Sequence, residues 1–204
     1  MFPTATLDLL FQDPAMFDSP NNWRMAGFEV YGEGHPSSIM VASHVSTPTL
    51  LFKKYSKSVS MRKQLDNYRQ RIKGADKLRT LITGQRLSRL IVPQKRLYEL
   101  TAAFSHKGLP SYVLVVDKLD LLKPFASKQQ YRELDKDGLR QLCTALHKFE
   151  GLDSGVRNIP FTRSGQIAFI DTERWDEDKE ICLKHVSKYL SDKQRRFAAK
   201  LLEH

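Results

Sequence analysis

Short apolar runs separated by turn-forming residues fill the first half of the chain, and helical periodicity takes over in the second. From Gly27 to His44 one apolar run, a turn with Gly32, Gly34 and Pro36, and a second run from Ile39 to Ala42 predict a glycine-turned β-hairpin. A Ser-Thr-Pro turn precedes a third strand over Thr49 to Tyr55. Leu65, Tyr68 and Ile72 then recur at helical spacing, which predicts an amphipathic helix from Val59 to about Lys73, stopped by Gly74. Leu87 to Leu100, broken by Pro93, and Ser111 to Val116 read as two further strands. The second is so rich in Val and Leu that burial on both faces is expected.

Beyond Asp117, Leu139, Leu142, Leu146 and Phe149 mark a helix, Ile167 to Ile170 a short strand, and Ile181 to Leu202 further helix. Strands first and helices afterwards predict an α+β protein of two lobes joined by a connector near Lys118 to Pro124. Residues 1–22, rich in Pro, Ser, Thr, Asn and Asp, read as a flexible N-terminal tail. Residues 23–204 are expected to form a single domain, with an N-lobe over about 23–116 and a C-lobe over about 117–204. A length of 204 residues with 41% hydrophobic content suffices for one such folded unit.

Lys and Arg outnumber Asp and Glu by 33 to 23, giving a net charge of +10 and favouring an anionic partner. The basic residues are spread over Lys53 to Arg96 and Lys184 to Lys200, the pattern of solvated helical faces, so no nucleic-acid surface is expected. Cys143 and Cys182 sit among apolar residues and suit buried free thiols. No membrane-spanning stretch or secretory leader is visible, which predicts a soluble cytoplasmic protein.

The chemistry concentrates in Gly-Leu-Asp-Ser-Gly-Val-Arg-Asn-Ile-Pro-Phe, residues 151–161, and in Gly165-Gln-Ile-Ala-Phe-Ile-Asp171-Thr-Glu173. A turn at Arg163-Ser164-Gly165 would fold these segments into a hairpin that returns Asp171 beside Asn158. Asp153 stands five positions before Asn158, and a second aspartate follows on the hairpin, a spacing that resembles the protein-kinase pattern. The resemblance makes Asp153 the catalytic base, and Asn158 and Asp171 the hard oxygen ligands of Mg. An Asx-rich turn with a solvated acid is the plainer reading of the same residues.

The first half supplies matching parts. Gly32-Glu-Gly34-His-Pro-Ser37 is a glycine turn whose backbone amides could approach ATP phosphates, with Ser37 where the kinase loop has its third glycine. An ordinary hairpin turn explains the two glycines equally well. Leu50-Leu-Phe-Lys53-Lys54 ends an apolar run in lysines, as does the kinase strand whose lysine grips ATP. Lys53 is preferred, although strand alternation leaves Lys54 open. Asp117 and Leu119 would present the connector backbone to adenine.

Glycine turn, strand lysine, helix, apolar strand, connector and the trio Asp153, Asn158 and Asp171 follow one another in kinase order. Over roughly Gly27 to Trp175 the chain therefore resembles the protein-kinase-like superfamily. Within it the chain is most similar to the minimal type III secretion effector kinases of plant-associated bacteria, the HopBF family. The resemblance implies a two-lobed kinase fold with a reduced helical C-lobe and ATP- and Mg-dependent serine/threonine kinase activity. It also implies secretion into a host cytoplasm and a protein substrate, the ninety-kilodalton heat-shock chaperone of eukaryotes.

The departures from the family are specific. No glutamate occurs between Phe52 and Tyr98, so the usual helix partner of the strand lysine is missing, and Asp66 and Gln70 are the available substitutes. Asp171-Thr172-Glu173 replaces Asp-Phe-Gly, and no Ala-Pro-Glu follows. Two other readings fit the same residues: a small-molecule or lipid kinase of this superfamily, and a catalytically silent binding module.

Overall fold

The computed structural model describes residues 4–12, 19–31, 39–55, 59–100, 111–149, 152, 155–173 and 185–202. Mixed α and β elements are present, as the pattern predicts, and they fall into two compact units. The first comprises residues 1–68 and 95–118, the second residues 69–94 and 119–204.

A five-stranded antiparallel sheet organises the first unit. Its strands are β1 (Phe28–Tyr31), β2 (Ile39–His44), β3 (Leu50–Tyr55), β5 (Lys95–Glu99) and β6 (Tyr112–Asp117), in the order β1-β2-β3-β6-β5. The interior strand β6 is buried from Val113 to Val116, in keeping with its unbroken β-branched and Leu composition. One face carries Leu50, Phe52, Val113 and Val115, packed with Leu7, Phe11 and Trp23.

Two of those partners come from the segment expected to be a loose tail. Thr4–Leu10 is instead a helix, α1, and Leu7 and Phe11 are buried. A second short helix, α2 (Pro20–Met25), starts from a Ser19 N-cap whose side chain accepts from Asn22 N–H, and it drives Trp23 into the core. The polar composition of this stretch thus reflects its outward faces. Its few apolar residues find a sheet face that would otherwise be wet.

The helix α3 (Met61–Gly84) is longer than expected. Gly74 does not stop it, because glycine costs a helix interior only about 1 kcal/mol relative to alanine, and Tyr68, Ala75 and Leu78 bury one continuous stripe that outweighs this. Residues 61–68 belong to the first unit and 69–84 to the second, so the single cut expected near residue 117 is replaced by a discontinuous division.

Leu87 to Leu100 also divides. Pro93 separates β4 (Leu90–Ile91) from β5, and the two enter different sheets. In the second unit β4 pairs in parallel with β7 (Ile167–Ala168), Leu90 opposite Ile167. The helices α4 (Pro124–Glu133), which periodicity did not reveal, α5 (Lys136–Lys148) and α6 (Asp192–Leu202) belong to this unit. Leu139, Leu142 and Leu146 of α5 form its core with Tyr131, Phe161, Ile167 and Phe169. Cys143 is buried there as a free thiol, with burial pushing its pKa up to about 11; Cys182 lies outside the described residues.

Asp135 caps α5 by accepting from Gly138 N–H at 2.7 Å. Asp135→Ala is expected to lower stability by about 1 kcal/mol, read as a shifted urea midpoint with unchanged slope.

Candidate functional site

The polar residues singled out in the second half lie on a tight hairpin of the second unit. Residues Asn158 to Phe161 run antiparallel to Ile167 to Ile170: Thr162 N–H donates to Gln166 O, Ala168 N–H to Pro160 O, and Ile170 N–H to Asn158 O. Gly165 turns the chain at φ 83°, a left-handed value that glycine adopts without strain. The last of these bonds, at 2.9 Å, brings the backbones of Asn158 and Ile170 together, so Asn158 and Asp171 end the hairpin on the same side of its turn. Asp153 lies outside the described residues.

Two elements fix this hairpin. The β4 strand flanks it, with Ile167 N–H donating to Arg89 O and Phe169 N–H to Ile91 O. Helix α4 holds its other arm: Tyr131 OH donates to Ile159 O at 2.5 Å, and Phe161 N–H donates to Ser127 Oγ at 3.2 Å. Burial pushes the Tyr131 hydroxyl far above the ordinary tyrosine range, so it remains a donor at any working pH.

Asp171 is held by a residue that the sequence reading passed over. Arg71, on the inward face of α3, donates from Nη1 to Asp171 Oδ1 at 2.8 Å and from Nη2 to Glu173 Oε2. Its side chain is 6% exposed, against 29% for Asp171 and 23% for Glu173. Between the two acids, the fully buried Thr172 donates from Oγ1 to Arg71 O at 2.6 Å, and Glu173 N–H donates to Asp171 Oδ1 at 3.2 Å. One arginine therefore bridges two carboxylates, and the backbone of the same residue receives the hydroxyl between them. The signal was present in the sequence: positions 64, 68, 71, 75 and 78 share one helical stripe, and a cation within such a stripe requires an acidic partner.

Asp66 and Gln70 are both exposed on the opposite side of α3, away from that stripe.

In the first unit, β3 alternation separates the two lysines. Lys54 shares the face of Leu50 and Phe52, is 6% exposed, and donates from Nζ to Ser111 Oγ at 2.9 Å and to Tyr112 O at 3.3 Å. Lys53 faces the other way with Tyr55, whose ring lies 5.2 Å from that of Tyr68 on α3. Tyr68 OH also donates to Lys53 O at 3.3 Å. Asp117 ends β6 opposite Leu50, and Lys118 N–H donates to Thr49 O. Leu119, in the second unit, is half-buried. Gly32, Gly34 and Ser37 lie outside the described residues.

Desolvation lowers the Lys54 pKa from 10.5 to about 8. The folded state therefore gives up this proton at lower pH than the unfolded chain does, and stability should rise from pH 8 to pH 10.5 as the penalty of burying the cation is relieved. Urea midpoints across that range should climb more steeply for the wild type than for Lys54→Met, by up to about 3 kcal/mol. Parallel curves would contradict this.

No protein-family model matches the chain, and no curated protein matches it. Among the described residues there is no group of three His, Cys, Asp or Glu side chains that could hold a metal ion, and no helix is long and apolar enough to cross a membrane.

Proposed function

We propose that the chain is a minimal ATP- and magnesium-dependent serine/threonine protein kinase. The observation that carries this reading is the Ile170 N–H to Asn158 O bond, which closes the hairpin bearing the amide and the carboxylate of the kinase pattern. The sheet order β1-β2-β3-β6-β5, with α3 following β3, adds support as the arrangement of a kinase N-lobe.

The donor chemistry fits a nucleotide-bound magnesium. Asn158 offers an amide oxygen and Asp171 a carboxylate, and magnesium takes one or two such protein ligands together with phosphate oxygens and water. When bound, the ion neutralises phosphate charge. Asp153 accepts the proton of the acceptor hydroxyl as its oxygen attacks the terminal phosphorus and ADP leaves. Lys53 is favoured over Lys54 for the α- and β-phosphates, since it is the more exposed of the two and shares the sheet face of Tyr55, whose ring packs near Tyr68 of α3, while Lys54 is buried on the other face. Gly32, Gly34 and Ser37 complete the phosphate contacts, and the backbone of Asp117 to Leu119 serves adenine.

By resemblance the enzyme is a bacterial type III effector acting in a host cytoplasm, and its acceptor is the ninety-kilodalton heat-shock chaperone. Incubation of the full chain with labelled ATP, magnesium and a yeast or plant lysate tests both levels. Label in the chaperone, absent with Asp153→Ala, supports the whole reading. Label confined to metabolites or lipids removes the protein-kinase assignment, and no transfer at all removes the kinase.

A further inference from the structure

We infer that Arg71 is the positioning residue of this site, tying helix α3 to Asp171 in place of the absent lysine-to-glutamate pair. The inference rests on the kinase reading. Its distinct content is that the helix reaches the site through a cation on the metal-binding acid instead of an anion on the phosphate-binding lysine.

Three observations converge on it. Arg71 is buried and its fork spans Asp171 and Glu173, so its position fixes two carboxylates on opposite sides of a buried threonine. Both Arg71 Nη1 and Glu173 N–H donate to the same oxygen, Asp171 Oδ1, which sets the plane of that carboxylate. The Thr172 hydroxyl bonds to the carbonyl of Arg71 itself, so a shift of the helix at this residue is transmitted to the strand end by backbone and side chain together.

An outer partner of a metal ligand typically changes metal affinity by about 10–100-fold when it is lost. The test is equilibrium binding of Mn2+ to the full chain in saturating ADP, followed by electron paramagnetic resonance, alongside magnesium titrations of ADP release from ATP. Arg71→Met is expected to weaken Mn2+ binding and raise the magnesium half-saturation by about tenfold or more. Arg71→Lys, which keeps the charge but reaches one acid at a time, should fall between it and the wild type.

Trp23→Phe is the stability control. Trp23 is fully buried in the core of the first unit, a cluster that contains none of Arg71, Asn158, Asp171 or Glu173, so its shortening should lower the melting temperature without moving the half-saturation. Should Arg71→Met fail to fold, Arg71→Lys carries the comparison.

Wild-type turnover with Mn2+ binding within about twofold in the Arg71 variants overturns the positioning role and leaves the kinase standing. Tighter binding in Arg71→Met would make Arg71 a competitor of the metal and overturns it as well. No Mn2+–ADP binding and no turnover by the wild type removes the kinase reading and this inference with it.

Discussion

Alanine at Trp23 is expected to cost the first unit about 3–5 kcal/mol. Trp23 is fully buried, and its ring meets Phe28 at 4.8 Å and Phe11 at 6.2 Å; Phe11 in turn meets Phe52 of β3 at 5.3 Å. Truncation therefore opens a cavity among aromatic rings contributed by α2, β1, β3 and the residue after α1, and these cannot all move inward together. A domain of this size has about 5–15 kcal/mol in total, so a large part of the reserve disappears. Trp23→Phe, which keeps most of the volume, should lose less than half as much. Far-ultraviolet circular dichroism against urea measures both, and a Trp23→Ala loss under about 1 kcal/mol would show that the aromatic cluster is not a core. Removal of residues 1–12 should resemble Trp23→Ala in direction, because it takes away Leu7 and Phe11.

Asp171→Ala is expected to reduce phosphate transfer from ATP by about 100-fold or more. The same substitution removes the Asp171 carboxylate from the buried Arg71 guanidinium, which keeps its ion pair with Glu173. Some stability is therefore lost too, since stranding half of a buried ion cluster is costly. Asp171→Asn separates the effects: its amide oxygen still accepts from Arg71 and fills the same volume, but the charge is gone. Equal losses of activity in both variants, with a smaller stability loss for Asn, are the predicted pattern. Near-wild-type transfer by a folded Asp171→Asn would remove this residue from the chemistry.

Strand content and the Asn158 to Asp171 hairpin were legible in the sequence for a common reason: each is encoded by neighbours. Gly165 and the apolar run Ile167 to Ile170 specify turn and strand without help from distant residues. What escaped is what distant partners decide. Helix α1 looked like a tail because its core residue Leu7, and Phe11 just after it, need the sheet to cover them. Gly74 looked like a stop because burial of Ala75 and Leu78, which overrides it, is tertiary. Helix α4 contributes Tyr131 and Ser127 to the core through hydrogen bonds as much as through apolar area, so its pattern reads as polar. Arg71 was hidden by the same logic, since a charged residue on a helix is ordinarily read as exposed.

The parallel pairing of β4 with β7 has a bearing on how the chain is made. Leu90 leaves the ribosome long before Ile167 exists, and at about 5–20 residues per second the wait lasts several seconds. Until then Leu90 and Val92, buried in the folded unit, lack this neighbour. A pairing of such sequence separation is therefore among the later contacts of folding, and its loss should slow the gain of structure in the second unit.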